Sequence, residues 1–169
     1  MLERHEVIIM IERTFVMLKP DAVQRQISGQ ILTRFENAGF KIVGLKMKWV
    51  DAEHSKKHYA EHAEKPFFKG LDTFLRTGPV VAFVLEGVNA IEGVRKMVGS
   101  TEPKGAAPGT IRGDYAHVSY GYADSKGIGV KNLIHASANE ADAKREIALW
   151  FEPEDLHSYK SVHDVHILE

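Results

Sequence analysis

The chain has 169 residues, of which 44% are hydrophobic and 27% charged, with a formal net charge of −1 and no cysteine. That length suits one domain able to bury roughly 70% of the surface its unfolded form exposes, and the absence of cysteine excludes disulfides, cysteine-ligated zinc and thiol catalysis. Near-neutral charge supplies no field for non-specific nucleic-acid binding, so any anion site has to be local.

At the amino end, residues 7–11 form an apolar run that is broken by Glu12 and Arg13. It is too short for a signal-peptide core and reads as a strand leading into the next one. No stretch has the length of a membrane span, so a cytoplasmic protein without membrane or nucleic-acid partners is expected. Residues 14–18 are β-rich and stop at Lys19-Pro20-Asp21, where a strand should deliver Lys19 to a turn. Ile31, Leu32 and Phe35 recur at helical spacing within 28–38, and Gly39 stands where that helix would stop. Residues 41–49 alternate as a half-buried strand.

Residues 52–64 are helix-compatible until Pro66-Phe67-Phe68, with a short helix following through Leu71, Phe74 and Leu75. Residues 79–86 are nearly all apolar, which predicts a central strand covered on both faces. A helix over 89–98, a Gly/Pro-rich loop over 99–109, a strand over 130–134 and a last helix from Asn139 complete the order. Two successive β-α-β units with small inserted helices fit an α+β fold: a ferredoxin-like α/β sandwich whose antiparallel four-stranded sheet is covered by helices.

Moving a phosphoryl group requires cations, backbone donors and one activated nucleophile. Lys19 at a strand end, Arg95 and Arg112 are candidate cations, and a guanidinium fork matches phosphate oxygens. Asn132-Leu133-Ile134-His135-Ala136-Ser137 places a histidine just ahead of the last helix, and Ser137 with Glu140 has capping-box spacing. His135 and Glu146 are eleven residues apart, about 16 Å along one helix, so they meet only if strand, turn and helix fold back on themselves. A carboxylate so placed would keep one ring nitrogen protonated and leave the other's lone pair free. The alternative is a structural histidine near a helix cap. His54, His58 and His62 fall at i, i+4, i+8, a pattern that could ligate a transition metal but is read here as a solvated helix face.

Taken together, Leu18-Lys19-Pro20-Asp21, His58-Tyr59, Pro66-Phe67-Phe68, Ser100-Thr101-Glu102-Pro103, Gly109-Thr110-Ile111-Arg112-Gly113-Asp114, the His135 segment and Glu146-Ile147-Ala148-Leu149-Trp150-Phe151 resemble the nucleoside diphosphate kinases. The resemblance runs from Met10 to the end, leaving 1–9 as an amino-terminal extension and 10–169 as a single domain. It implies ping-pong transfer of the γ-phosphoryl group of a nucleoside triphosphate to a nucleoside diphosphate through a phosphohistidine on His135. It further implies that Lys19, Arg95, Thr101 and Arg112 hold phosphates, Asn132 contacts the sugar, and Phe67 stacks on the base. Glu146 would orient the histidine, Tyr59 support its surroundings and Ser137 belong to its motif. Mg²⁺ would come bound to the nucleotide's phosphates, with no dedicated protein ligands. Tetramers or hexamers built on a common dimer are implied as well.

The chain departs from the family's usual pattern in three places. Ala138 stands where an aspartate usually follows the serine. Residues 115–129 read as an inserted surface loop of the kind seen in archaeal members, one that would either cover the site or extend an interface, and residues 1–9 are extra. These departures leave a catalytically inactive nucleotide-binding or scaffolding relative as the alternative. A nucleic-acid-binding module on the same sheet is a further rival, opposed by the charge balance and the lack of a ribonucleoprotein aromatic motif.

Overall fold

The structure, a computed structural model, describes residues 11–62 and 64–168. In chain order the elements are β1 (Ile11–Leu18), α1 (Pro20–Gln24), α2 (Ser28–Asn37), β2 (Lys41–Trp49), α3 (Ala52–His58), α4 (Phe68–Leu75), β3 (Pro79–Val88), α5 (Ala90–Val98), α6 (Ile111–Tyr115), α7 (Tyr120–Lys126), β4 (Ile134–Ala136) and α8 (Glu140–Trp150). The four strands form one antiparallel sheet in the order β2-β3-β1-β4. This is the ferredoxin-like α+β arrangement expected from the element order.

Period-two alternation along the inner strands sorts the core into two layers. Val16, Leu18, Phe83 and Leu85 meet Ile31 and Phe35 of α2 and Val94 of α5 on one face. Phe15, Met17, Ala82 and Val84 meet Leu75 of α4 and Trp150 of α8 on the other. Being apolar on both sides, β1 and β3 take the interior places, while β2 and β4 form the edges.

Three expectations are corrected. The strand expected over 130–134 is β4 at Ile134–Ala136, because Leu133 has a φ of +70° and cannot continue a ladder. The helix expected over 52–64 ends at His58, and a separate 3-10 turn covers Ala60–His62. The inserted segment holds a helix, α7, whose ends carry an N-cap from the Ser119 hydroxyl and a left-handed Gly127. Of the amino-terminal apolar run, Ile11 opens β1; the rest lies outside the described residues.

Candidate active site

The site forms where β1 ends beside β4. The Lys19 amide donates to the Leu133 carbonyl at 2.8 Å, and the Leu133 amide donates to Asp21 Oδ2 at 3.1 Å. Held at both groups, Leu133 adopts its positive φ while Ile134 N reaches back to the Asn132 carbonyl at 2.8 Å. This is a γ-turn of the strained, positive-φ kind, sustained by its surroundings. The turn aims Asn132 at Lys19, whose Nζ donates to Asn132 Oδ1 at 2.7 Å, while Asn132 Nδ2 donates to the Thr101 carbonyl at 2.9 Å.

Arg112, buried on α6, braces the same turn. Its Nε, NH1 and NH2 donate to the carbonyls of Asn132 (3.1 Å), Gly99 (3.0 Å) and Ile134 (2.6 Å). Of a guanidinium's five N–H groups, these bonds leave two for a ligand. Burial brings the Arg112 guanidinium down to about 10. Burial, followed by the charge of Arg112, brings the Lys19 ammonium down to about 8. Two cations thus share a poorly solvated corner, an arrangement that an anion would relieve.

His135 lies in the middle of β4, and its Nε2 is 2.8 Å from Glu146 Oε1. The chain turns after β4 and α8 returns along the sheet, which brings the carboxylate behind the ring. Glu146 is buried, and its second oxygen accepts from the Ser137 hydroxyl at 2.6 Å. Ser137 Oγ also accepts from the Phe15 amide at 3.3 Å, tying the group to β1. A carboxylate can only accept from Nε2, so the ring proton sits there and Nδ1 keeps its lone pair.

Ser137 therefore does not cap α8. Its hydroxyl is drawn to Glu146, and Asn139 is the cap, its side chain accepting from the Asp142 amide at 2.9 Å. Ala138, in place of the usual aspartate, costs the helix no cap.

In front of His135 opens a cleft of about 1300 Å³. Lys19, Arg112, Asn132 and Thr101 line one end, joined by Arg95. Arg95 is exposed, and its side chain has no hydrogen bond or ion pair among the described residues. Phe67, 56% exposed, and the buried Tyr59 line the other side. The Tyr59 hydroxyl has no partner among the described residues, and burial, with Glu146 nearby, pushes its pKa well up. All ten residues singled out from the sequence thus gather here: eight on the cleft wall, with Ser137 and Glu146 behind the histidine. Among the described residues the only cluster of three possible metal-ligand side chains is His58, His135 and Glu146.

The sequence reading missed two contributors, Asp21 and the buried His58, and left open whether the inserted segment covers the site. Asp21 imposes the γ-turn, and its place in Lys19-Pro20-Asp21 was the available signal. His58 is 2% exposed and packs against His135 rather than facing solvent. The inserted segment also contributes: Tyr120, Asp124 and Ile128 line the cleft. Ser119 and Gly127, a cap residue and a stop residue at the ends of α7, were its legible signals.

A nucleoside diphosphate kinase family profile matches residues 12–156. The chain belongs to the nucleoside diphosphate kinase family. It is 54% identical over 153 residues to a nucleoside diphosphate kinase of Pyrococcus horikoshii, covering 90% of this chain and 93% of the relative. The structure of nucleoside-diphosphate kinase from Borrelia burgdorferi, a transition-state mimic with bound vanadate and ADP, superposes with a TM-score of 0.89 at 43% identity, covering 92% of this chain and 96% of that one. A halophilic nucleoside diphosphate kinase from Halobacterium salinarum in complex with CDP gives a TM-score of 0.84 at 45% identity, covering 95% and 100%. Membership makes the chain a phosphotransferase, and it favours a working kinase over the silent relative that Ala138 and the insert had left open.

Proposed function

We propose that the protein transfers the γ-phosphoryl group of a nucleoside triphosphate to a nucleoside diphosphate by a ping-pong route through Nδ1 of His135. The observation that carries this reading is the 2.8 Å contact between His135 Nε2 and the buried Glu146, which leaves Nδ1 as the unprotonated nitrogen of a ring lining the cleft. In the first half-reaction the Nδ1 lone pair forms a bond to the γ-phosphorus. The bond from phosphorus to the bridging oxygen breaks, and that oxygen leaves with the diphosphate. The proton stays on Nε2, and the ring's positive charge is shared with Glu146. A second diphosphate reverses these steps.

Lys19, Arg95, Arg112 and Thr101 hold the phosphates and neutralise charge spreading over the equatorial oxygens. Asn132, engaged internally through Oδ1 and one N–H, has its second N–H for the sugar. Phe67 offers an exposed face on which any base can stack, which supports broad base use. Tyr59 walls the histidine side. Asp124 is the one carboxylate on the cleft wall among the described residues, a donor set that fits Mg²⁺ carried in by the nucleotide rather than held by the chain. When bound, the ion neutralises phosphate charge.

No helix among the described residues is long and apolar enough to cross a membrane, and a cytoplasmic enzyme comprising one domain over 10–169 is part of the proposal. So is self-association. The edge strand β2 leaves Leu45, Met47 and Trp49 uncovered at 54%, 63% and 66% exposure.

The test is labelling with γ-phosphate-labelled nucleoside triphosphate. Wild type should form an acid-labile, base-stable phosphoprotein that is discharged by any nucleoside diphosphate, with parallel double-reciprocal plots. His135→Ala should form none. Equal labelling in that variant would remove His135 from the reaction.

A further inference from the structure

His58 ends α3 with its side chain fully buried, next to the proposed nucleophile. Its ring stands nearly perpendicular to that of His135, at 83° with centroids 4.8 Å apart, and nearly perpendicular to that of Trp150, at 89° and 5.6 Å. The Trp150 indole N–H donates to His58 Nδ1 at 3.2 Å. An indole nitrogen can only donate, so Nδ1 carries a lone pair and the proton of the neutral ring sits on Nε2. Burial, followed by the charges of His135, Lys19 and Arg145, holds His58 well below the ordinary histidine range and keeps it neutral.

The same Nδ1 lies 4.0 Å from Glu146 Oε1, the oxygen that accepts from His135. A charged His58, or one bearing its proton on Nδ1, would compete for that oxygen. With Nδ1 occupied by Trp150 the competition is absent, and Glu146 is left to His135 and Ser137. The perpendicular contact has a second consequence. For Nε2 of His135 to leave Glu146, the ring must turn about its Cβ–Cγ bond, against the perpendicular ring of His58 whose centroid is 4.8 Å away.

We propose that His58 is a positioning residue for phosphoryl transfer: a neutral wedge, oriented by Trp150, that keeps His135 Nε2 on Glu146 and so makes Nδ1 the phosphorylated nitrogen. This inference rests on the proposed reaction at His135 and goes further, assigning the choice of nitrogen to a residue outside the cleft.

Two variants separate the ring's bulk from its acceptor. His58→Asn keeps an acceptor for the Trp150 N–H near the Nδ1 position but removes the wedge. His58→Phe keeps a ring but removes the acceptor. Single-turnover phosphorylation by nucleoside triphosphate gives the rate, and phosphorus NMR of the phosphoenzyme gives the isomer. Wild type should carry phosphate on Nδ1 alone. His58→Asn should react at least about tenfold more slowly, the scale of loss expected from a misplaced reacting group, with nucleotide Kd within about twofold. A measurable fraction of its phosphate should move to Nε2. His58→Phe should keep the Nδ1 isomer and most of the rate.

An isomerically pure His58→Asn phosphoenzyme formed at the wild-type rate would overturn the inference, as would a rate loss in both variants that merely follows their thermal midpoints. If either variant fails to fold, nitrogen NMR of wild type decides. His58 should titrate nowhere between pH 5 and 8, roughly the range in which a free imidazole changes charge, and should show its proton on Nε2; the opposite tautomer would overturn the proposal. Absence of any phosphohistidine in wild type would instead refute the reaction itself, a separate outcome.

Discussion

Lys19 is buried between Arg112 and Asn132, and burial holds its ammonium near 8 instead of the ordinary 10.5. The group is more easily deprotonated in the folded chain than in the unfolded one, so between these values the unfolded state binds more protons. Stability therefore gains from this group as pH rises from about 8 toward 10.5. Nucleotide binding through Lys19, as proposed, has the opposite sign, because the phosphates would need the protonated form. We expect diphosphate affinity to be flat below pH 8 and to weaken above it, by up to about tenfold per pH unit. Calorimetric titration from pH 7 to 9.5 checks this, with the bound nucleotide also raising the lysine's pKa. Lys19→Arg should flatten the profile, since a guanidinium stays charged throughout. A wild-type affinity independent of pH would mean that Lys19 does not meet the phosphates. The γ-turn at Leu133 makes this geometry possible, and it was hidden from the sequence for a physical reason. Its conformation is imposed by Asp21, 112 residues earlier in the chain.

The inserted segment is anchored to both rims of the cleft. At its start, the Val118 carbonyl accepts from the Lys104 amide at 3.1 Å and the Tyr120 amide donates to Glu102 Oε1 at 2.9 Å, beside Thr101. At its end, Gly129 lies against α4, where an added Cβ would sit 2.9 Å from the Gly70 carbonyl oxygen. Because that neighbour is backbone, Gly129→Ala should lift the end of the segment from α4 and loosen one wall of the cleft. KM for nucleotides should rise a few-fold, on the order of 1 kcal/mol of binding, with faster hydrogen exchange across α7. Gly121, with nothing within 4 Å of an added Cβ, supplies the control: Gly121→Ala should leave KM alone and firm the helix. Equal KM values for both would detach the insert from nucleotide binding. Elements whose pattern matches their surroundings were legible in the sequence: β3 as a central strand, α2 and α5 as amphipathic helices. Those set by a remote partner were not. Ser137 has the right spacing for a cap, yet its hydroxyl serves Glu146. His58 shares its spacing with two more exposed histidines, and only the return of α8 shows that Trp150 and His135 enclose it.

In the sheet order β2-β3-β1-β4 the proposed nucleophile, His135, lies on one edge and the bare apolar row on the other. Leu45 pairs with Phe83 and Met47 with Val81, so these side chains continue the face that α2 and α5 cover farther in. The helices stop short of the edge, and Leu45, Met47 and Trp49 are left in water. Trp49 already has its indole N–H bonded to the Arg76 carbonyl at 3.1 Å, so its exposed ring lacks only an apolar neighbour. An antiparallel edge strand is self-complementary about a twofold axis, and full burial of each such side chain contributes roughly 1.5–3 kcal/mol. A second copy of the chain, as proposed, would satisfy both the backbone and the row. Wild type should therefore run as an oligomer by light scattering, with a thermal midpoint that rises with protein concentration. Met47→Glu should give a smaller species whose midpoint is lower and independent of concentration. Because β2 contributes nothing to the cleft wall, kcat measured well below that midpoint should change by less than about twofold, a fraction of a kcal/mol in the barrier. A monomeric wild type, or an unchanged mass for Met47→Glu, would rule out this edge as the interface.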